Sequence, residues 1–115
     1  MSNSTQTPRQ GTWLILKNGN TFFARLQNES GETVLTSESL TSLSGIKSAI
    51  ETLKNNILND NYAIAIDQDQ SYLLKIFSTA NRVLLKQGGF LTKQECENTF
   101  LTAKQLVQNA KILTN

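Results

Sequence analysis

Trp13-Leu-Ile-Leu-Lys17, Asn18-Gly19 and Thr21-Phe-Phe-Ala-Arg-Leu-Gln27 follow one another near the start of the chain. The two outer runs are rich in β-branched, aromatic and aliphatic residues, and Asn-Gly between them is the strongest short signal for a tight type I′ hairpin. A second turn at Glu29-Ser30-Gly31 leads into Glu32-Thr-Val-Leu-Thr-Ser37, which predicts a three-stranded meander. Past Ser42 the period changes. Ile46, Ala49, Ile50, Leu53 and Ile57 recur at helical spacing, with Lys47, Glu51 and Lys54 opposite them. This amphipathic helix should end at Asn55-Asn56 or shortly after, because Asn59-Asp60-Asn61 is a cluster of turn formers.

The same order then starts again. Tyr62-Ala-Ile-Ala-Ile66, Ser71-Tyr-Leu-Leu-Lys-Ile-Phe77 and Arg82-Val-Leu-Leu-Lys86 read as three more strands. Thr92 and Glu95 form a capping box, with Leu91 and Cys96 at hydrophobic-staple spacing, so a second helix should begin near Lys93. Its stripe is Cys96, Phe100, Ala103, Leu106, Val107 and Ala110, and Lys111-Ile-Leu-Thr-Asn115 could close the chain as a short strand. Sliding one half over the other by about 50 residues brings like types together. Phe22 meets Tyr72, Leu26 meets Ile76, Leu35 meets Leu85, Leu40 meets Phe90 and Ile50 meets Phe100; with a gap in the hairpin turn, Trp13 meets Tyr62 and Ile15 meets Ile64. The expectation is an α+β protein of two tandem βββα repeats, residues 11–60 and 61–115 of one domain, behind a disordered polar tail over 1–10.

Arg25-Leu-Gln-Asn-Glu-Ser-Gly-Glu-Thr-Val-Leu-Thr-Ser-Glu38 resembles the signature of the YegP-like family, an Arg-Leu strand end followed by an Asn-Gly-Glu turn, a β-branched strand and Ser-Glu. The resemblance runs from Gly11 to about Ala110. It implies one antiparallel sheet built from both βββα units, with two helices packed on one face and the strand after each helix exchanged onto the other unit's part. It brings no catalytic residues. The chain departs from the family where a Gly-Ile pair is usual in the helix, with Ala49-Ile50 and Thr99-Phe100 in those places, and at the turn Ser78-Thr-Ala-Asn81.

Composition narrows the chemistry. The 115 residues are 38% apolar and only 17% charged, with a formal net charge of +2. Lys and Arg are scattered, which argues against a protein held mainly by phosphate contacts. A single cysteine excludes an internal disulfide and suits a reducing compartment. No run approaches the roughly 18 apolar residues of a membrane span, and the polar N-terminus lacks the apolar core of a secretion signal, so a cytoplasmic location is expected. With no histidine, the usual general base, nucleophile activator and metal ligand are all missing. Neither an enzyme nor a cofactor is expected.

The remaining candidates for chemistry have simpler readings. Cys96 lies near a helix N-terminus but on the apolar stripe, which makes it a buried small hydrophobe. Asp67-Gln-Asp69-Gln-Ser71 imitates the opening of a calcium loop, yet Tyr72 stands where glycine is needed and Ser78 where glutamate is needed, so no metal is expected. Gly88-Gly89 reads as a bend where the chain leaves the sheet.

The sheet surface carries the one unusual pattern. If Trp13, Ile15, Phe22, Ala24, Leu26, Tyr62, Ile64, Tyr72, Leu74 and Ile76 face the helices, alternation sends Leu14, Leu16, Phe23, Arg25, Ala63, Ala65, Leu73 and Lys75 to the other face. That face is too apolar for open water unless the sheet curls or the tail and the terminal segment cover it, and such patches mark binding surfaces. The candidate interaction surface is therefore Leu14, Leu16, Phe23, Arg25, Leu73 and Lys75. The expected role is a non-enzymatic interaction module that binds a protein partner or a second copy through this face or a sheet edge. The alternative is a weak nucleic-acid binder using Lys17, Arg25, Lys75, Arg82 and Lys86 around exposed aromatics.

Overall fold

The structure, a computed structural model, describes residues 9–114. Its elements follow as β1 Thr12–Asn18, β2 Thr21–Gln27, β3 Thr33–Thr36, α1 Leu43–Leu58, β4 Tyr62–Ile66, β5 Tyr72–Phe77, β6 Val83–Phe90, α2 Lys93–Val107 and β7 Lys111–Thr114. The chain is thus α+β. Each helix starts where a hydroxyl can accept an orphan amide: Ser42 Oγ from Gly45 N–H at 2.9 Å, and Thr92 Oγ1 from Glu95 N–H at 3.0 Å.

The strands form two sheets, in the orders β3-β2-β1-β7 and β4-β5-β6, instead of the single antiparallel sheet that was expected. The division falls between β3 and β6. There the backbones do not form a ladder, and one side chain, Gln87, reaches from β6 to the main chain of β3. The pairing is not purely antiparallel either, because β7 lies parallel to β1 with Trp13 opposite Ile112. Lys111 N–H donates to Gly11 C=O at 3.1 Å where the two strands begin. The strand that follows the second helix has therefore returned to the first sheet.

Strand alternation puts Trp13, Ile15, Ala24, Leu26, Leu74, Ile76 and Leu85 into a single core with the helix stripes. The interior is paired along the chain at an offset of about 50 residues. Ala24 and Leu74, Leu26 and Ile76, Leu35 and Leu85, Ile46 and Cys96, Ile50 and Phe100, Leu53 and Ala103, Asn56 and Leu106, and Ile57 and Val107 are all buried. Asn56 is the polar exception. Its carboxamide donates to Thr52 C=O and accepts from the Asn61 side chain at 2.7 Å, which removes the cost of burying it.

Three local expectations need correction. In the first hairpin the loop residues are Gly19 and Asn20, since Asn18 pairs with Thr21, and only Gly19 has positive φ, at 62°. That fits a type II′ turn, whereas type I′ needs positive φ at both positions. The Gly88-Gly89 pair does not end β6. It forms a bulge inside it, with Gly89 at φ 84°, and the strand continues until Phe90 pairs with Tyr72. Leu91 is 81% exposed, so it makes no staple with buried Cys96; the bulge delivers Phe90, not Leu91, to the core.

Of the expected tail, residues 1–8 lie outside the described residues. Arg9 and Gln10 are tied to the domain. The Arg9 guanidinium makes an ion pair with Glu29 at 2.8 Å, and Gln10 Nε2 donates to Asn109 C=O at 2.6 Å.

Candidate functional site

The six candidate residues sit on the helix-free side in two groups, one per sheet. On the first sheet Leu14 pairs with Arg25 and Leu16 with Phe23. The Arg25 guanidinium carbon lies 5.4 Å from the centre of the Phe23 ring, a cation–π contact that folds its charge over the aromatic face. Leu14, Leu16 and Phe23 are half-buried, and Leu113 of β7, 52% exposed, lies opposite Leu14. On the second sheet Leu73 and Lys75 of β5 pair with Ala65 and Ala63 of β4 and are also half-buried.

The seam between β3 and β6 separates the groups. Next to it the residues are polar: Thr36 lies opposite Arg25, and Lys86 opposite Lys75. The structure therefore brings Leu14, Leu16, Phe23 and Arg25 together, and Leu73 with Lys75, but does not unite the six in one apolar patch.

A feature not singled out in the sequence is the outer edge of β4. Phe77 N–H donates to Asn61 C=O, so by alternation Ala63 and Ala65 turn their backbone groups toward β5, and Tyr62, Ile64 and Ile66 turn theirs outward. The corresponding strand in the first sheet, β1, has its outward side covered by β7. Among the described residues no strand pairs with the outer edge of β4; of its outward groups, only the Tyr62 N–H is taken, by Asp60 C=O at 3.0 Å. Tyr-Ala-Ile-Ala-Ile carries neither charge nor proline, and Ile66 is 69% exposed. Edge strands are normally guarded by such residues, so their lack is the signal the sequence did contain.

Tyr62 is fixed at the start of this edge. Its ring stacks on Phe100 at 3.7 Å between centroids, and its hydroxyl donates to Glu97 Oε2 at 2.6 Å. That bond to a carboxylate, with burial second, pushes the phenol up to about 12. Burial likewise raises the Cys96 thiol, which favours the unreactive protonated form. In the Asp67–Ser71 loop, Asp69 Oδ1 accepts from both the N–H and the hydroxyl of Ser71, and the carboxylate is used in closing the turn between β4 and β5. Of the basic residues, Lys17 Nζ stands 6.0 Å over the Phe22 ring, while Arg82 lies beyond β5, lining a cavity against α1.

Two helices packed over sheets of four and three strands, with β7 returned to β1, make up a YegP-like fold. The solution structure of YegP from E. coli, a protein of unknown function, matches with a TM-score of 0.83 and 20% identity over 96% of this chain and 97% of that one. A UPF0339 protein from Shewanella oneidensis matches with a TM-score of 0.76 and 22% identity over 91% and 92%. No protein-family model and no curated protein matched the chain. Among the described residues, no helix is long and apolar enough to cross a membrane.

Proposed function

We propose that this chain is a non-enzymatic interaction module of two tandem βββα repeats, and that it associates with a second copy of itself through β4. The paired interior positions support the repeat, as do matching turns. Asn28 N–H donates to Glu32 C=O, with Gly31 at φ 82°, and Ser78 N–H donates to Arg82 C=O, with Asn81 at φ 62°. The observation that carries the association is the uncovered, uncharged edge Tyr62–Ile66.

Two such edges are complementary when placed antiparallel about Ile64. Ile64 then exchanges both backbone bonds with its counterpart, and each Ile66 N–H meets a Tyr62 C=O, leaving the already bonded Tyr62 N–H outside the ladder. Exposed Ile66 comes to rest opposite Tyr62, and no like charges oppose each other. Five residues a side make a small interface, so the dimer is weak and concentration-dependent.

Sedimentation equilibrium across a concentration series tests this. Ile66→Lys should weaken association by about tenfold or more, because a charged edge residue is a natural guard against pairing. Leu73→Asp, beside β4, should also weaken it, and Phe23→Asp, on the other sheet, should not. A wild-type chain that stays monomeric at every concentration would remove the reading.

A second reading, nucleic-acid binding, has one observation in its favour: Lys75 and Lys86 are cross-strand neighbours, an unfavourable pairing that a bound phosphate would relieve. Binding of single-stranded oligonucleotide should then fall steeply between about 50 and 200 mM salt. No binding at the lower salt eliminates it.

A further inference from the structure

Two cavities flank the seam between the sheets. One, about 520 Å³, lies against the start of α1 and is walled by Ser37, Leu40, Ala49 and Leu84 among others. The other, about 380 Å³, lies against α2 and is walled in the corresponding places by Gln87, Phe90, Thr99 and Val34. These are the same positions displaced by about 50 residues, with the two strands exchanging roles.

They differ in what occupies the seam. On the α2 side, Gln87 Oε1 accepts from Thr36 N–H at 3.0 Å while its Nε2 donates to Val34 C=O at 2.6 Å. One carboxamide thus satisfies an outward donor and an outward acceptor of β3 together. On the α1 side Ser37 stands in its place. Its hydroxyl is already used, accepting from Ala24 N–H at 2.8 Å and donating to Glu38 C=O at 3.0 Å.

The backbone groups matching Thr36 N–H and Val34 C=O are Lys86 N–H and Leu84 C=O. Phe77 and Lys75 turn their backbone groups toward β4, so Lys86, opposite Lys75, turns its own away from β5 and toward β3, as does Leu84 two residues before it. Among the described residues neither group has a partner. This half of the seam carries the same donor and acceptor as the other, and no side chain to answer them.

We propose that the α1-side cavity binds a primary carboxamide, whose oxygen accepts from Lys86 N–H and whose nitrogen donates to Leu84 C=O, as Gln87 does in the other half. Leu40, Leu53 and Val83 offer an apolar wall for an aliphatic stem, and exposed Glu38 and Arg82 offer opposite charges at the rim. Two sources share this chemistry: the side chain of a glutamine within a partner's chain, and free glutamine, whose ammonium and carboxylate would meet Glu38 and Arg82. The site is separate from the β4 edge, and its failure would leave that reading untouched.

The test is an amide-resolved NMR titration of the full chain with three probes: N-acetyl-glutamine N-methylamide, L-glutamine, and N-acetyl-glutamate N-methylamide at neutral pH. The amides should shift Lys86 and its neighbours across the seam. The glutamate probe should not, because a carboxylate has no hydrogen to give Leu84 C=O. A response to the blocked glutamine alone assigns a partner's side chain, and a stronger response to free glutamine assigns the amino acid. Ser37→Gln supplies the missing carboxamide from within and should weaken probe binding by about tenfold or more. Gln87→Ser should open the other half and add a second set of shifts around Thr36. No response to either amide, an equal response to amide and carboxylate, or a folded Ser37→Gln chain that binds like wild type would each overturn the proposal. Should Ser37→Gln not fold, the contrast between amide and carboxylate on the wild-type chain decides alone.

Discussion

Gln87 does more for this fold than its half-buried position suggests, because it closes a gap that the backbone leaves open. Replacing it with Ala leaves Thr36 N–H and Val34 C=O unanswered, and urea denaturation should show a loss of about 1–3 kcal/mol. Tyr62 carries a pH-dependent contribution. Its phenol rises from an ordinary value of 10.0 to about 12 in the folded chain, so the stabilisation is complete below the ordinary value and is lost as pH rises through the folded one. Stability measured across that alkaline range should fall, and Tyr62→Phe should flatten this part of the profile. Legibility at this scale was uneven. Cys96 was readable as a core residue from its place on the helical stripe, and it is fully buried. Neither Gln87 nor Asn56 could be found that way, since their partners lie on segments that meet only after folding, or at the helix end. Trp13 was readable as interior, yet nothing in the sequence shows that its indole Nε1 is buried with no hydrogen-bond partner among the described residues.

At the scale of elements, the helices are anchored by their caps. Removing the Thr92 hydroxyl with Thr92→Ala should cost about 1 kcal/mol by thermal or urea unfolding, while the conservative Thr92→Ser should restore most of it. The capping box was legible but only half is built as expected: Glu95 N–H reaches Thr92, whereas the Glu95 carboxylate accepts from the Thr92 hydroxyl at 3.4 Å. Strand cores were legible to within a residue or two, because β-branched and aromatic alternation is a local property. The far end of β6 was not. A Gly-Gly pair serves equally for a bend or a bulge, and the choice was made by the ladder to Tyr72. Gly11 exposes a different constraint, since a Cβ there would stand 2.8 Å from Leu106 C=O and 2.9 Å from Leu106 Cβ. Gly11→Ala should therefore push the start of β1 off α2, seen as reduced stability and faster amide exchange in β7, which begins on the Gly11 carbonyl.

Over the whole molecule, the two halves share one interior, so damage to either is felt by both. Phe100 is buried, stacks on Tyr62 and occupies the place that Ile50 takes in the first half. Phe100→Ala should cost about 3–5 kcal/mol, a large part of the roughly 5–15 kcal/mol that holds such a domain together. By contrast, the exposed Lys104–Asp60 pair at 2.8 Å adds little, as surface ion pairs do. Leu14, Leu16, Phe23, Arg25, Leu73 and Lys75 lie outside the shared interior, and the seam that splits them into two groups has no signal in the sequence.

The sequence by itself determined where the cores of the strands and the helices form and which side of each is apolar, because these follow from spacing, turn residues and caps within a few positions of one another. Tertiary structure alone decided that the strands divide into two sheets, that β7 returns to lie parallel on β1, that Gln87 closes one half of the seam, and that β4 keeps an open edge. Every residue but proline offers the same backbone donor and acceptor, so a strand's own letters do not name its neighbour; packing of the shared interior does.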